Sequence, residues 1–159
     1  MGHMSTVQTW QTESASSEDT ERIAENVGQA LHGGEVIELV SDLGGGKTTF
    51  TRGLVRGMGS TDRVASPTFT LSRVYQAGAK QVHHFDFYRL AEPGLMREEL
   101  AEILDNPDAV TIVEWAGLLH DVLPAQRLTV TIVYTPSGTR HLTFSAPKSL
   151  DYLLEAAQK

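Results

Sequence analysis

The chain has 159 residues, no cysteine and a formal charge of −7, from 13 Lys and Arg against 20 Asp and Glu. That length holds one domain with a proper core, and the missing cysteine excludes disulfides, thiolate metal sites and cysteine nucleophiles. An acidic chain is a poor stand-alone binder of nucleic acid, because counterion release needs clustered Lys and Arg; any RNA is expected on a partner instead.

No segment approaches the ~20 apolar residues of a membrane span, and the polar N-terminus lacks the apolar core of a secretory signal. With the absence of cysteine, this fits a cytoplasmic protein. Met1-Gly2-His3-Met4 reads as an expression scar, which leaves residues 5–159 as a single expected domain.

In chain order, a polar run from Ser14 ends in an expected N-cap at Ser17, with Glu18 and Asp19 in the first turn. Ile23, Val27, Ala30 and Leu31 follow helical spacing until Gly33-Gly34 stops the helix. Val36 to Val40 reads as a buried strand. It runs into Ser41-Asp42-Leu43-Gly44-Gly45-Gly46-Lys47-Thr48-Thr49, and a helix with Phe50, Leu54, Val55 and Met58 on one face continues to Gly59. Strand, glycine loop, Lys-Thr and helix is the order of a phosphate-binding loop. The glycines let successive N–H groups point at one anion, and the helix N-terminus adds unpaired donors and partial positive charge. In such a loop Lys47 reaches the β- and γ-phosphates and the Thr48 hydroxyl ligates magnesium. Ser41 stands where the pattern G-x-x-x-x-G-K-S/T has its first glycine, and it fits there if its φ stays negative.

Beyond the helix, Ser66-Pro67-Thr68 excludes helix just before Pro67. Alternation predicts a strand over 69–75, Ala77-Gly78-Ala79 a turn, and residues 82–87 another strand. Pro93-Gly94 breaks the chain before a helix over 96–104. The β-branched run 109–113 predicts a strand buried on both faces. A short helix near 118–122, a hairpin of 127–134 with 140–144 about Pro136-Ser137-Gly138, and a last helix over 149–157 complete the pattern. Together these predict a three-layer α/β domain with a mixed, partly parallel sheet.

A phosphate loop needs an acid at a neighbouring strand end to hold magnesium. Glu114 and Asp86 both end predicted strands, where strand C-termini line the ligand crevice. One would hold the metal while the other orients the attacking water; the buried run before Glu114 makes it the better metal acid. Trp115 is open between a core aromatic and a neighbour of the nucleotide. His83 and His84 point to opposite faces of a strand, so they form no metal pair, and a packed or surface role is expected for both. Hydrolytic triads have no support.

Four segments in order resemble the TsaE (YjeE) family of bacterial ATPases that act in making threonylcarbamoyladenosine in tRNA: residues 42–50, Ser66-Pro67-Thr68-Phe69-Thr70-Leu71, His84-Phe85-Asp86-Phe87-Tyr88-Arg89-Leu90 and Val113-Glu114-Trp115. The likeness runs from about Ser17 to the end. It implies a small P-loop NTPase-like fold and weak, partner-stimulated ATP hydrolysis alongside TsaB and TsaD, with tRNA met only through that complex. It places nucleotide binding on Asp42, Leu43, Gly44, Gly45, Gly46, Lys47, Thr48 and Thr49, with Ser17 and Arg140 approaching the nucleotide. It places magnesium on Thr48 and Glu114, catalysis on Asp86 with Lys47, and a switch-like loop on Ser66 and Thr68. Ser41 departs from the family's loop glycine, and Ala116-Gly117 replaces its usual Pro-Glu. A small-molecule P-loop kinase and a non-hydrolysing nucleotide-binding regulatory subunit are the alternatives. A GTP switch ranks low, since no Asn-Lys-x-Asp segment is present to read guanine.

Overall fold

A computed structural model describes residues 7–42, 46–65, 72–88, 90 and 92–159, the Leu118 side chain excepted. Its strands are β1 (Val7–Ser14), β2 (Val36–Val40), β3 (Ser72–Ala77), β4 (Lys80–Asp86), β5 (Ala109–Glu114), β6 (Leu128–Tyr134) and β7 (Arg140–Pro147). Its helices are α1 (Ser17–Ala30), α2 (Lys47–Gly57), α3 (Gly94–Leu104) and α4 (Asp151–Ala157), with 3-10 turns at Gly117–Val122 and Lys148–Leu150. The strands form one sheet in the order β1-β7-β6-β2-β5-β4-β3. The inner four, β6, β2, β5 and β4, run parallel, while β3, β7 and β1 pair antiparallel. The expected mixed, partly parallel sheet is therefore present.

Burial explains the layers. Every residue of β5 is buried, as a strand covered on both faces requires. On one face Ile23 and Val27 of α1, Phe50 and Leu54 of α2 and Leu153 of α4 pack on Ile37, Leu39, Ile112 and Val130. On the other, Leu100 of α3 and Leu119 close over Val36, Phe85 and Val113. Period-two alternation separates the two sets: Val82, His84 and Asp86 share the α2 face, whereas Phe85 lies opposite.

Three local expectations are refined. Strand β1 has no counterpart in the sequence pattern; it is an edge strand in which Trp10 packs on Phe144, ring centroids 5.4 Å apart. Its end draws Ser14 inside, where the hydroxyl bonds the Thr20 hydroxyl at 2.6 Å. The helix cap falls in consequence one residue earlier than expected: the Asp19 N–H donates to Ser16 Oγ at 3.1 Å, and Ser17 is the first helical residue. The strand expected over 69–75 is seen over Ser72–Ala77, with 69–71 outside the described residues.

Helices α1 and α2 meet main chain to main chain. A Cβ on Gly53 would lie 2.4 Å from the Glu21 carbonyl oxygen and 2.7 Å from Ala24 Cβ; on Gly57 it would lie 2.3 Å from the Glu25 carbonyl oxygen. Backbone cannot give way as a flexible side chain can. Gly53→Ala is therefore expected to lower the melting temperature by roughly 6–12 °C, from about 3 kcal/mol of overpacking. A calorimetric shift under about 2 °C would show the crossing to be looser than drawn. Among the described residues, no helix is long and apolar enough to cross a membrane.

Candidate functional site

Strand β2 delivers the chain to the C-terminal edge of the parallel strands, and α2 starts from there with no side-chain cap. Gly46 takes φ +96° at the cap position, a left-handed conformation that disfavours any side chain. Leu43, Gly44 and Gly45 lie outside the described residues. Ser41 meets its condition, because Trp115 is the non-glycine residue with positive φ among the described residues. The Ser41 hydroxyl donates to the Asp42 carbonyl at 3.1 Å.

Lys47 opens α2 and is 7 % exposed. Its Nζ donates to the carbonyl oxygens of Asp42 (3.2 Å) and Ser41 (3.4 Å) and lies 4.8 Å from the centre of the Trp115 ring. Among the described residues it makes no ion pair. A buried ammonium held by carbonyls and an aromatic face, without a carboxylate, is a cation placed for an outside anion. Trp115 is therefore at the loop, not in the core. Its φ of +54° is costly for a bulky residue, and Tyr88 braces its ring at 4.9 Å between centroids.

Facing Lys47 are the ends of two parallel strands. Asp86 and Glu114 are register partners on β4 and β5. Glu114 is 2 % exposed. Asp86 is half-buried and accepts the Tyr88 N–H at 3.1 Å. Burial pushes the Asp86 carboxyl above its ordinary value; the Tyr88 N–H opposes this, Glu114 reinforces it, and His84 and Lys47 oppose it. Because the folded carboxyl holds its proton more tightly than the unfolded one, stability is lost as pH rises from the ordinary 3.8 through the folded value. Asp86→Asn removes that loss. Its melting temperature is expected to exceed the parent's at about pH 7, with the gap closing below about pH 4; equal melting temperatures at neutral pH would contradict it.

His84 is packed, one of the two roles expected of it, but against a candidate site acid. It has no exposed surface, and its Nε2 lies 2.5 Å from Glu114 Oε2. No local signal marks this, since the partners are thirty positions apart in sequence and meet only through the β4–β5 register. His83 behaves as expected: it lies on the opposite face, half-buried, against Gln81.

The remaining candidates sort by position. Arg140 and Ser17 meet across the fold, with Arg140 Nη2 donating to Ser17 Oγ at 3.0 Å and to the Tyr134 hydroxyl at 3.2 Å. Arg140 Nε is buried without a hydrogen-bond partner among the described residues and lies 3.6 Å from where a Cβ on Gly46 would stand, so this pair borders the loop. Thr48 and Arg52 line a cavity of about 540 Å³ with Asp62, Arg63, Val64 and Ala65. Thr49 is half-buried in the first turn of α2. Ser66 and Thr68 lie outside the described residues. Among the described residues, no three His, Asp or Glu side chains cluster as a self-sufficient metal site.

Comparison with known proteins gives the family and agrees with the fold. Residues 14–142 match the family model described as "Threonylcarbamoyl adenosine biosynthesis protein TsaE". The chain is 38% identical over 140 residues to the "tRNA threonylcarbamoyladenosine biosynthesis protein TsaE" of Bacillus subtilis, covering 86% of this chain and 84% of the relative. It is 35% identical over 130 residues to the protein of that name in Treponema pallidum, covering 82% of this chain and 96% of the relative. The crystal structure of Bacillus subtilis YdiB superposes with a TM-score of 0.76 at 33% identity, covering 99% of this chain and 97% of that one.

Proposed function

The chain belongs to the TsaE family, and from that premise we propose that it binds and hydrolyses ATP in the making of threonylcarbamoyladenosine in tRNA. On this reading it works in the cytoplasm with TsaB and TsaD and meets tRNA through that complex. The observation that carries the proposal is Lys47: a buried ammonium with no ion-pair partner among the described residues, at the N-terminus of a helix, opposite two strand-end carboxylates.

Both ligands suit the residues. Arg140 Nε beside Gly46, with no partner among the described residues, and the ammonium of Lys47 are donors suited to an anion. A hydroxyl and one carboxylate, Thr48 and Glu114, match a magnesium ion that takes few protein ligands and fills its octahedron with phosphate and water. When bound, magnesium neutralises charge building on the β- and γ-phosphates. Lys47 holds the same phosphates from the other side. The Gly46 N–H would donate to them, and Ser17 with Arg140 would border the nucleotide. Trp115 holds Lys47 in line from its ring face. Asp86 orients the attacking water and takes its proton, a role suited to a carboxyl whose proton affinity burial has raised.

Two observations bear on the alternatives. A P-loop kinase needs an arginine-rich lid, for which this chain offers Arg89 and Arg97; Arg89 lies outside the described residues, and Arg97 is engaged with Asp121 at 2.7 Å. Ser41 takes no left-handed backbone, so its side chain fits that position without strain, which supports the hydrolysing reading over a non-hydrolysing subunit. The test is ATP hydrolysis by the purified chain, alone and with TsaB, TsaD and tRNA. Low turnover alone and a clear rise with partners is expected. Tight binding with no turnover in either case would make the chain a regulatory subunit instead, and phosphate transfer to a small acceptor would make it a kinase.

A further inference from the structure

We infer that His84 and Tyr75 are positioning residues that fix the carboxylate of Glu114, an inference that rests on the magnesium role proposed for Glu114. The two side chains form one buried line. His84 Nε2 meets Glu114 Oε2 at 2.5 Å, and His84 Nδ1 meets the Tyr75 hydroxyl at 3.2 Å. The Tyr75 hydroxyl in turn reaches the Ala65 carbonyl oxygen at 3.0 Å. His84 has no exposed surface and Tyr75 only 2 %. The chain thus runs from β5 across β4 to β3 and ends on main chain beside the cavity that Thr48 lines.

Each link answers a physical need. A carboxylate 2 % exposed cannot rely on water to satisfy it, so it needs a donor from the protein. With Oε2 committed to His84, the carboxylate cannot rotate freely, and Oε1 is the oxygen left to face a cation. An imidazole held at one nitrogen alone could still swing about its Cβ, and Tyr75 removes that freedom by holding the second. The phenol ring packs 6.1 Å from the imidazole, centroid to centroid, and its hydroxyl is tied at Ala65. A ligating carboxylate is commonly held by such a partner, and loss of the partner costs about 10- to 100-fold in metal affinity.

A purely structural polar network would use the same bonds, so the test must separate support of the fold from orientation of Glu114. Binding of a non-hydrolysable ATP analogue to the full chain is measured by calorimetry across a magnesium titration and again with chelator. His84→Leu is expected to raise the magnesium concentration for half-maximal effect about 10- to 100-fold, with chelated binding within about twofold of the parent. His84→Gln restores a donor toward Glu114 and is expected to recover most of the loss. Tyr75→Phe, which keeps the ring and its packing, is expected to raise the magnesium midpoint by about threefold or more. Should His84→Leu fail to fold, Tyr75→Phe decides. An unchanged magnesium midpoint in the folded variants overturns the inference. So does equal weakening with and without magnesium, which is the mark of a structural role. A parent chain whose nucleotide binding ignores magnesium overturns the metal role of Glu114 itself, a result visible before any variant is compared.

Discussion

Lys47→Ala is expected to weaken ATP binding by about a hundredfold or more while the chain stays folded. The loss follows from what the ammonium does in each state. Without nucleotide it rests on two carbonyl oxygens and a Trp face, so burial of its charge is only partly offset. With nucleotide it would gain charge-assisted bonds to phosphate, each worth about 1.5–3 kcal/mol, and roughly 2.8 kcal/mol is a hundredfold. The folded state loses little in exchange, because alanine suits the first turn of a helix and leaves no unpaired charge behind. Calorimetric titration with ATP checks the first part and circular dichroism the second. Affinity within about threefold of the parent would mean that the anion sits elsewhere.

Asp86→Ala is expected to lower the partner-stimulated turnover by about a hundredfold or more, with ATP affinity within about threefold, because a general base acts on the step and not on the ground-state complex. Asp86 and Glu114 occupy neighbouring strand ends, yet only Glu114 is tied down by a buried histidine. Among the described residues Asp86 takes a single N–H, from Tyr88, and it keeps more exposure than Glu114. That asymmetry separates a held carboxylate from one able to accept a proton. Single-turnover hydrolysis at saturating ATP isolates the effect. A normal rate would remove Asp86 from the chemistry, and a collapse of affinity would move it to nucleotide binding.

Local rules made the strand and helix on either side of the loop legible, because each is coded within a few residues. The strand-end rule likewise found Glu114 and Asp86, since the C-terminal edge of a parallel strand is defined by the strand's own pattern. What escaped depends on distant pairing. The His84–Glu114 bond requires the β4–β5 register, the Arg140–Ser17 bond spans most of the chain, and β1 acquires its place only by pairing with β7. Sequence left Trp115 open between core and site; its ring stands 4.8 Å from Lys47 Nζ, beside the loop and outside the core, on a positive φ that no composition rule encodes. The N-cap fell on Ser16, one residue from the serine expected, at a junction where the buried Ser14 hydroxyl bonds Thr20 six residues on.

The glycine crossing of α1 and α2 reaches further than stability. Gly53 faces Glu21 and Gly57 faces Glu25, so the contacts climb in step and the helices run the same way, with Lys47 and Ser17 at neighbouring ends. Arg56 clamps the far end onto Glu21 and Glu25 at 3.1 and 3.0 Å. No layer of side chains lies between the two main chains to act as a cushion. Lys47 and Ser17 accordingly stand on one two-helix anvil: under the proposed function, an arriving phosphate would meet these two groups already held in place, with that ordering cost met when the chain folded.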